Sequence, residues 1–343
     1  MPMNSPGRPC ANTIAAQAGY SAPYLYLLNE EEGQASRSPS EPTAYTRRKL
    51  DQISRAIRSG HGQGRGDEYL PWIRIRKNFT SPTSHQVFDS VGIQARNHHF
   101  LSKLEFHTAL LVSYMGATEL RECLPLWPFE HPHPDTGLDA DFDDRRESVP
   151  GLLDIATGAG IDHGTYVGTT VPYIASIDLM FRIRQDHRWR LFGISCKPKA
   201  IADKSARAQE RIELDRLYCH AVGAHHHHED GAFLNTELVQ QLIVMRPAVD
   251  FLRSNRQTAR FDDFVGSFNE LADDHPVSDA AVAAGQRVGI SREDAFSFFR
   301  LGAWLHRIDI DLSQRVQMRK PVKRGGTTVV QSLRLRYLGV SHD

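Results

Sequence analysis

Apolar residues recur at helical spacing in several stretches of the chain. In "YTRRKLDQISRAIRSG", Leu50, Ile53 and Ile57 repeat every three or four positions, which predicts a helix with a basic flank of Arg47, Arg48, Lys49, Arg55 and Arg58. "LSKLEFHTALLVSYMG" predicts a second helix, with Ser102 as its N-cap and Gly116 as its stop. "SARAQERIELDRLYCHAVGA" predicts a third, carrying Ile212, Leu214, Leu217 and Tyr218. From about Thr236 onward the pattern is helical, as in "TELVQQLIVMRPAVDFLR" and "SREDAFSFFRLGAWLHRI". Strand-like runs lie between, at "DEYLPWIRIRK" and "TELRECLPL". In "YIASIDLMFRIRQDHRWRLFGISCKP" two β-rich runs flank a polar turn near Asp186–His187, which predicts a hairpin. A turn centred there sets Asp178 opposite Ser195, with Lys197 one step on and on the same face. Strict alternation gives that face Ile174, Ser176 and Met180 as well.

These elements make an α/β region to about residue 235 and a smaller, mainly helical region over 236–343. Residues 1–44, rich in Ser, Pro, Gly and Ala, read as a flexible segment. "PFEHPHPDTGLDADFDDRRESVPG" reads as an acidic surface loop. The chain ends in a basic alternating stretch with Gly325–Gly326 as its expected hairpin turn.

Forty-one basic residues balance 41 acidic ones, so net charge names no partner, but the distribution does more. From Ser313 to His342 there are seven Lys and Arg and no Asp or Glu. Four cysteines stand far apart, which argues against a disulfide framework or a thiolate zinc site and suits a reducing, cytoplasmic setting. No signal peptide and no membrane-length apolar run is seen, so no membrane partner is expected.

The candidate chemistry starts at "RLFGISCKPKA", where a strand of mostly apolar residues ends on Lys197. A lysine there is explained by snorkelling or by a cross-strand ion pair with Asp178. An acid and a lysine converging at a strand end also make a metal-and-lysine nuclease site, the carboxylate holding Mg²⁺ and the ammonium steadying phosphate charge. Glu105 completes a capping box with Ser102, and from the first turn of its helix it can face the same metal. "GHGQGRG" has the wrong order for a phosphate loop, since a helix precedes it and a strand follows. His225–His228 reads as a solvated loop or a divalent-metal feature. "DADFDD" lacks the Gly and distal Glu of a calcium loop.

In order along the chain, "RSGHGQGRGDEYLPWIRI", "NHHFLSKLEF", "ELRECLPLWP", "DIATGAGIDH", "YIASIDLMF", "ISCKPKA" and "QERIELDRLYC" resemble the TnsA family, the endonuclease subunits of heteromeric cut-and-paste transposases. The resemblance covers roughly residues 45–235. It implies a restriction endonuclease-like fold, a mixed sheet flanked by helices, with a divalent metal at the sheet edge. It also implies cleavage of the non-transferred strand at transposon ends, beside a DDE-type (TnsB-like) transposase and an ATPase (TnsC-like) regulator. The family's helix glutamate falls on Glu105, its metal-binding aspartate on Asp178 and its catalytic lysine on Lys197. Glu210 and Glu213 match acidic family positions, with helix-surface salt bridges as their alternative.

The general nuclease motif has Asp or Glu two residues before the lysine and TnsA enzymes typically have Gln, whereas this chain has Ser195. The expected ligands for Mg²⁺, with Mn²⁺ as its substitute, are therefore Glu105, Asp178 and the backbone carbonyl of Cys196. The loop between Pro128 and Leu152 is longer than the family's. "HHHHEDGAFLN" stands where the family has an apolar strand, so that strand is either shorter or carries histidines on an exposed edge. The C-terminal region suits a small winged-helix-like fold for partner or DNA contacts. Duplex DNA contacts are expected from Arg47, Arg48, Lys49, Arg65, Arg319, Lys320, Lys323 and Arg324. The alternatives are a stand-alone restriction or repair nuclease of the same fold, and a catalytically inactive DNA-binding or assembly subunit.

Overall fold

The computed structural model describes residues 43–76, 86–138, 148–185, 187–232, 234 and 236–339. The N-terminal segment up to residue 42, "DADFDD" and Asp186 of the hairpin turn lie outside the described residues.

A mixed four-stranded sheet organises the first two thirds of the chain. β3 (Thr118–Leu126), β6 (Ala175–Gln185) and β7 (Arg188–Cys196) are antiparallel neighbours, and β8 (His225–Glu229) joins β7 in parallel. The β6–β7 hairpin runs from Leu179↔Ile194 to Gln185↔Arg188, the register that a turn centred at Asp186–His187 demands. His187 takes φ 61° at the tip. Short two-residue and three-residue strands form two small ladders outside the sheet: β1 (Val87–Asp89) with β2 (His98–Phe100), and β4 (His131–Pro132) with β5 (Ser148–Val149).

Helices cover both faces. α1 (Ala44–Arg58) buries Leu50, Ile53 and Ile57, and its N-cap Thr43 accepts the Thr46 N–H at 3.2 Å. The Gly-rich turn after it keeps Gly62 at φ 75°, a conformation other residues adopt only with strain, while Gln63 bridges to Leu70. α2 (Lys103–Tyr114) packs on one face, where Leu179, Phe181, Ile183, Phe192 and Ile194 meet Ala109, Leu110 and Val112. α3 (Leu152–Ala159) and α5 (Ala206–Ala221) pack on the other, where Ala175, Ile177, Met180 and Leu191 meet Leu152, Leu214 and Cys219. The single turn α4 (Lys199–Ala202) lies between β7 and α5.

Strict alternation along β6 does not hold. Ile177 and Met180 belong to one core and Leu179 to the other, so the side-chain order slips once around Asp178. The face assigned to Asp178 from period two is thereby corrected: the slip separates it from the regular order of Met180.

Among the described residues six helices follow: α6 (Thr236–Met245), α7 (Val249–Asn255), α8 (Ala259–Leu271), α9 (Val277–Arg287), α10 (Arg292–Trp304) and α11 (Gly326–Leu338). Their aromatic residues, among them Phe261, Phe264, Phe268, Phe298 and Phe299, extend the core that begins under α2. The expected basic hairpin at Gly325–Gly326 is not formed, and among the described residues no strand follows Glu229. Gly326 opens α11 instead, and Val330, Tyr337 and Leu338, spaced for one helix face, are the residues it buries. The winged-helix-like expectation is corrected accordingly.

Gly193 marks how closely α5 approaches the sheet. A Cβ there would lie 2.5 Å from Cys219 Sγ and 2.6 Å from Ile177 Cδ1. Gly193→Ala is therefore expected to lower unfolding stability by about 1–3 kcal/mol, which a urea denaturation curve reads directly.

Candidate active site

Local structure sets the first carboxylate. Ser102 caps α2 by accepting the Glu105 N–H at 3.2 Å, and its hydroxyl donates to Glu105 Oε1 at 2.8 Å. The Leu101 N–H donates to Oε2 at 2.7 Å. This fixes a glutamate that is only 5% exposed at the start of the helix. Asp178 is fixed by the slip in β6: its Oδ2 accepts the Cys196 N–H at 2.6 Å, just past the last regular hairpin pair. Lys197 follows on the half-buried strand end.

The electrostatics join these three residues from α2, β6 and the end of β7. Burial, then the charge of Asp178, push the Glu105 carboxyl well above its ordinary value, against the Leu101 N–H, the Ser102 hydroxyl and the Lys197 ammonium. Burial likewise pushes Asp178 up, with the Asp215 charge adding to it, while the Cys196 N–H, Lys197 and Arg211 oppose the rise. The Asp178 charge thus adds to the burial of Glu105, with Lys197 as partial compensation for both carboxyls.

Lys197 is held through its backbone. Its N–H donates to the Glu229 carbonyl at 3.0 Å, and His228 Nε2 donates to its carbonyl at 2.9 Å. Glu229, fully buried, ties this strand end to the C-terminal helix. Its carboxylate accepts from the Gly231 N–H at 2.7 Å, from Tyr337 Oη at 2.6 Å and from Arg336 at 3.2 Å. Burial raises its pKa, but bonds from His227, Tyr337 and Gly231 and the Arg336 charge outweigh that and hold it down at about 2.

Ser195 belongs to a separate network. Its hydroxyl donates to Asp215 Oδ2 at 2.8 Å and sits 2.8 Å from His226 Nε2, which donates to it. Asp215 Oδ1 in turn pairs with Arg211 at 2.5 Å. Asp215, buried on α5, does not stand out in the sequence, where Glu210 and Glu213 are the conspicuous acids of the same helix. Those two are surface ion pairs, to Arg207 at 3.0 Å and Arg216 at 2.6 Å. The signal for Asp215 is its i, i+4 spacing from Arg211 next to the buried Leu214. The four histidines are edge strand rather than loop: His226 and His228 brace β7, while His225 stacks on Phe192 and His227 packs at a tilt against Tyr337.

Beside the site runs a cleft of about 460 Å³ lined by Leu104, His107, Pro198, Lys199, Asp230 and Leu234. Among the described residues no group of three or more His, Cys, Asp or Glu side chains converges as a metal cage. Two carboxylates can hold Mg²⁺ only with waters, carbonyls and phosphates filling the remaining positions. The basic candidates are scattered. Arg47, Arg48, Arg319 and Lys320 are exposed. Lys49 lies 4.7 Å over the Tyr166 ring, and Arg65 donates to the Gly64 and Thr136 carbonyls. Lys323 donates to Gln314 and Arg324 pairs with Asp273.

The chain is 31% identical over 168 residues to the transposon Tn7 transposition protein TnsA of Escherichia coli. The match takes in 49% of this chain and spans about half, 52%, of that relative's length. No family model matches. The likeness supports a TnsA-like protein, and the mixed sheet flanked by helices is consistent with a nuclease fold. Among the described residues no helix is long and apolar enough to cross a membrane.

The raised carboxyls predict a pH signature. Asp178, raised in the fold, binds a proton more tightly there than in the unfolded chain, so its ionisation costs stability as pH rises above about 4. Asn does not titrate. In EDTA, the melting temperature of Asp178→Asn relative to the parent is expected to climb from pH 4 upward and to level off once Asp178 is ionised in both states. Melting curves across pH 4–9 check it.

Proposed function

We propose that this chain is a Mg²⁺-dependent DNA endonuclease of a TnsA-type heteromeric transposase, cutting the non-transferred strand at the 5′ ends of the transposon. The observation that carries the reading is that the charges of Asp178 and Lys197, from β6 and the end of β7, both act on the buried Glu105 carboxyl of α2. The partial identity to TnsA supports the same reading.

In this reading Glu105 and Asp178 hold the cation, with the Cys196 carbonyl as a third oxygen and Mn²⁺ able to substitute. Bound there, a divalent cation supplies Lewis-acid polarisation of the scissile phosphate and a nucleophile at neutral pH. Lys197, its backbone fixed by His228 and Glu229, presents an ammonium to the phosphate as charge develops. Asp215 and Ser195 support the strand from the α5 side, so no acid at position 195 is required. The partners are duplex transposon-end DNA, a DDE-type transposase subunit and an ATPase regulator, with 236–343 offering partner or DNA contacts in a cytoplasmic complex.

Labelled transposon-end DNA incubated with the chain and its neighbouring transposase tests this. Glu105→Ala, Asp178→Ala and Lys197→Ala are each expected to reduce 5′-strand cleavage by about 10²-fold or more, with circular dichroism unchanged. Normal cleavage by a folded Lys197→Ala protein would remove the assignment. Cleavage without any transposase would indicate a stand-alone nuclease.

A further inference from the structure

A second basic site lies at the other end of the hairpin. Seven residues along β7 from Lys197, about 23 Å at strand rise, a cavity of about 430 Å³ is lined by Arg182, Arg188, Trp189, Arg190, His225 and Asp135. Among the described residues its lining carries three arginines and one aspartate. Arg121 Nη2 and Arg182 Nε each approach Asp135 at 3.5 Å, on different oxygens, so two guanidinium groups share one carboxylate. Arg121 is fully buried and Arg182 is 7% exposed, and neither of these two nitrogens has a hydrogen-bond partner. Arg121 donates through Nη1 to the Pro134 carbonyl, whereas Arg182 lines the cavity with an Nε short of an acceptor, which favours an anion with several oxygens.

The walls add to this. β8 joins β7 only from Phe192 onward, so among the described residues no strand pairs with the outer edge of β7 at Arg188–Leu191. Arg188 and Arg190 reach the cavity from that edge, and among the described residues no carboxylate pairs with either. Trp189 is 48% exposed, with the Arg182 guanidinium 5.4 Å from its ring centroid. Three arginines and one aspartate thus line the cavity beside an accessible indole, with Arg121 paired to the same aspartate from beneath. Guanidinium forks suit phosphate oxygens, and an indole beside them suits a sugar or a base.

We propose that this hairpin-end cavity binds backbone phosphates of the duplex flanking the cleavage point. The identity of the polyanion as DNA rests on the endonuclease reading above. At 3.4 Å per nucleotide the separation from Lys197 corresponds to about seven base pairs, within one helical turn of the cut. None of these residues stands out in the sequence as a DNA contact, because the arginines read simply as hairpin polarity.

The test is equilibrium binding of labelled transposon-end duplex to the full chain in EDTA, over a salt series. Arg188→Ala/Arg190→Ala is expected to lower the slope of log affinity against log salt by about 2, with melting temperature unchanged. Arg188→Lys/Arg190→Lys is expected to recover most of the slope, because the charges remain. A duplex trimmed to fewer than about seven base pairs on both sides of the cut is expected to bind the parent and the alanine variant alike. An unchanged slope for the alanine variant overturns the proposal. Unchanged DNA binding with lost association to the transposase overturns it too, and makes the cavity a protein-docking surface. A reduced slope in a chain that never cleaves DNA leaves the phosphate site standing and removes the endonuclease reading instead.

Discussion

A buried carboxylate with a half-buried one acting on it sets the terms for this molecule. Glu105 is buried at the start of a capped helix and Asp178 is half-buried on a slipped strand, and each loses hydration by being there. A fold tolerates such crowding only if protons, a cation or fixed donors offset it. The fixed donors are the Leu101 and Cys196 N–H groups, the Ser102 hydroxyl and, from the side, Lys197. They reduce the repulsion without removing it, and a divalent cation is the species that answers the remainder in the proposed reaction.

The elements around this pair keep β7 from yielding to that repulsion. On one side α5 reaches Ser195 through Asp215, with Arg211 balancing the acid. On the other, β8 grips the backbone of Lys197, and Glu229 fastens β8 to α11 through Tyr337 and Arg336. The C-terminal helix is therefore in mechanical contact with the lysine's strand end. Tyr337 and Arg336 of α11 are linked to the Lys197 backbone through Glu229.

Much of this is legible in the chain. The hairpin register follows from a polar turn between two β-rich runs, and Ser102-x-x-Glu105 foretells the cap that holds the glutamate. What is not legible depends on tertiary partners. Period two carries no mark of the slip around Asp178, which exists because β6 feeds Ile177 and Leu179 into different cores. Asp215 looks like one more charge on a charged helix, and only burial against Ser195 separates it from Glu213. The alternating tail "TTVVQSLRLRYL" fits a strand or a helix equally. α11 forms because Val330, Tyr337 and Leu338 find an apolar surface at helical spacing. The four histidines are ambiguous by themselves, since an edge strand and a loop have the same composition until β7 provides the ladder.

Cation binding by the carboxylate pair is the point on which the rest depends. Calorimetric titration of Mn²⁺ into the full chain at neutral pH measures this without DNA or transposase. The expected result is a binding event that Glu105→Gln and Asp178→Asn each abolish while the protein stays folded. Binding that both substitutions leave intact, or no binding by the parent chain, would contradict it.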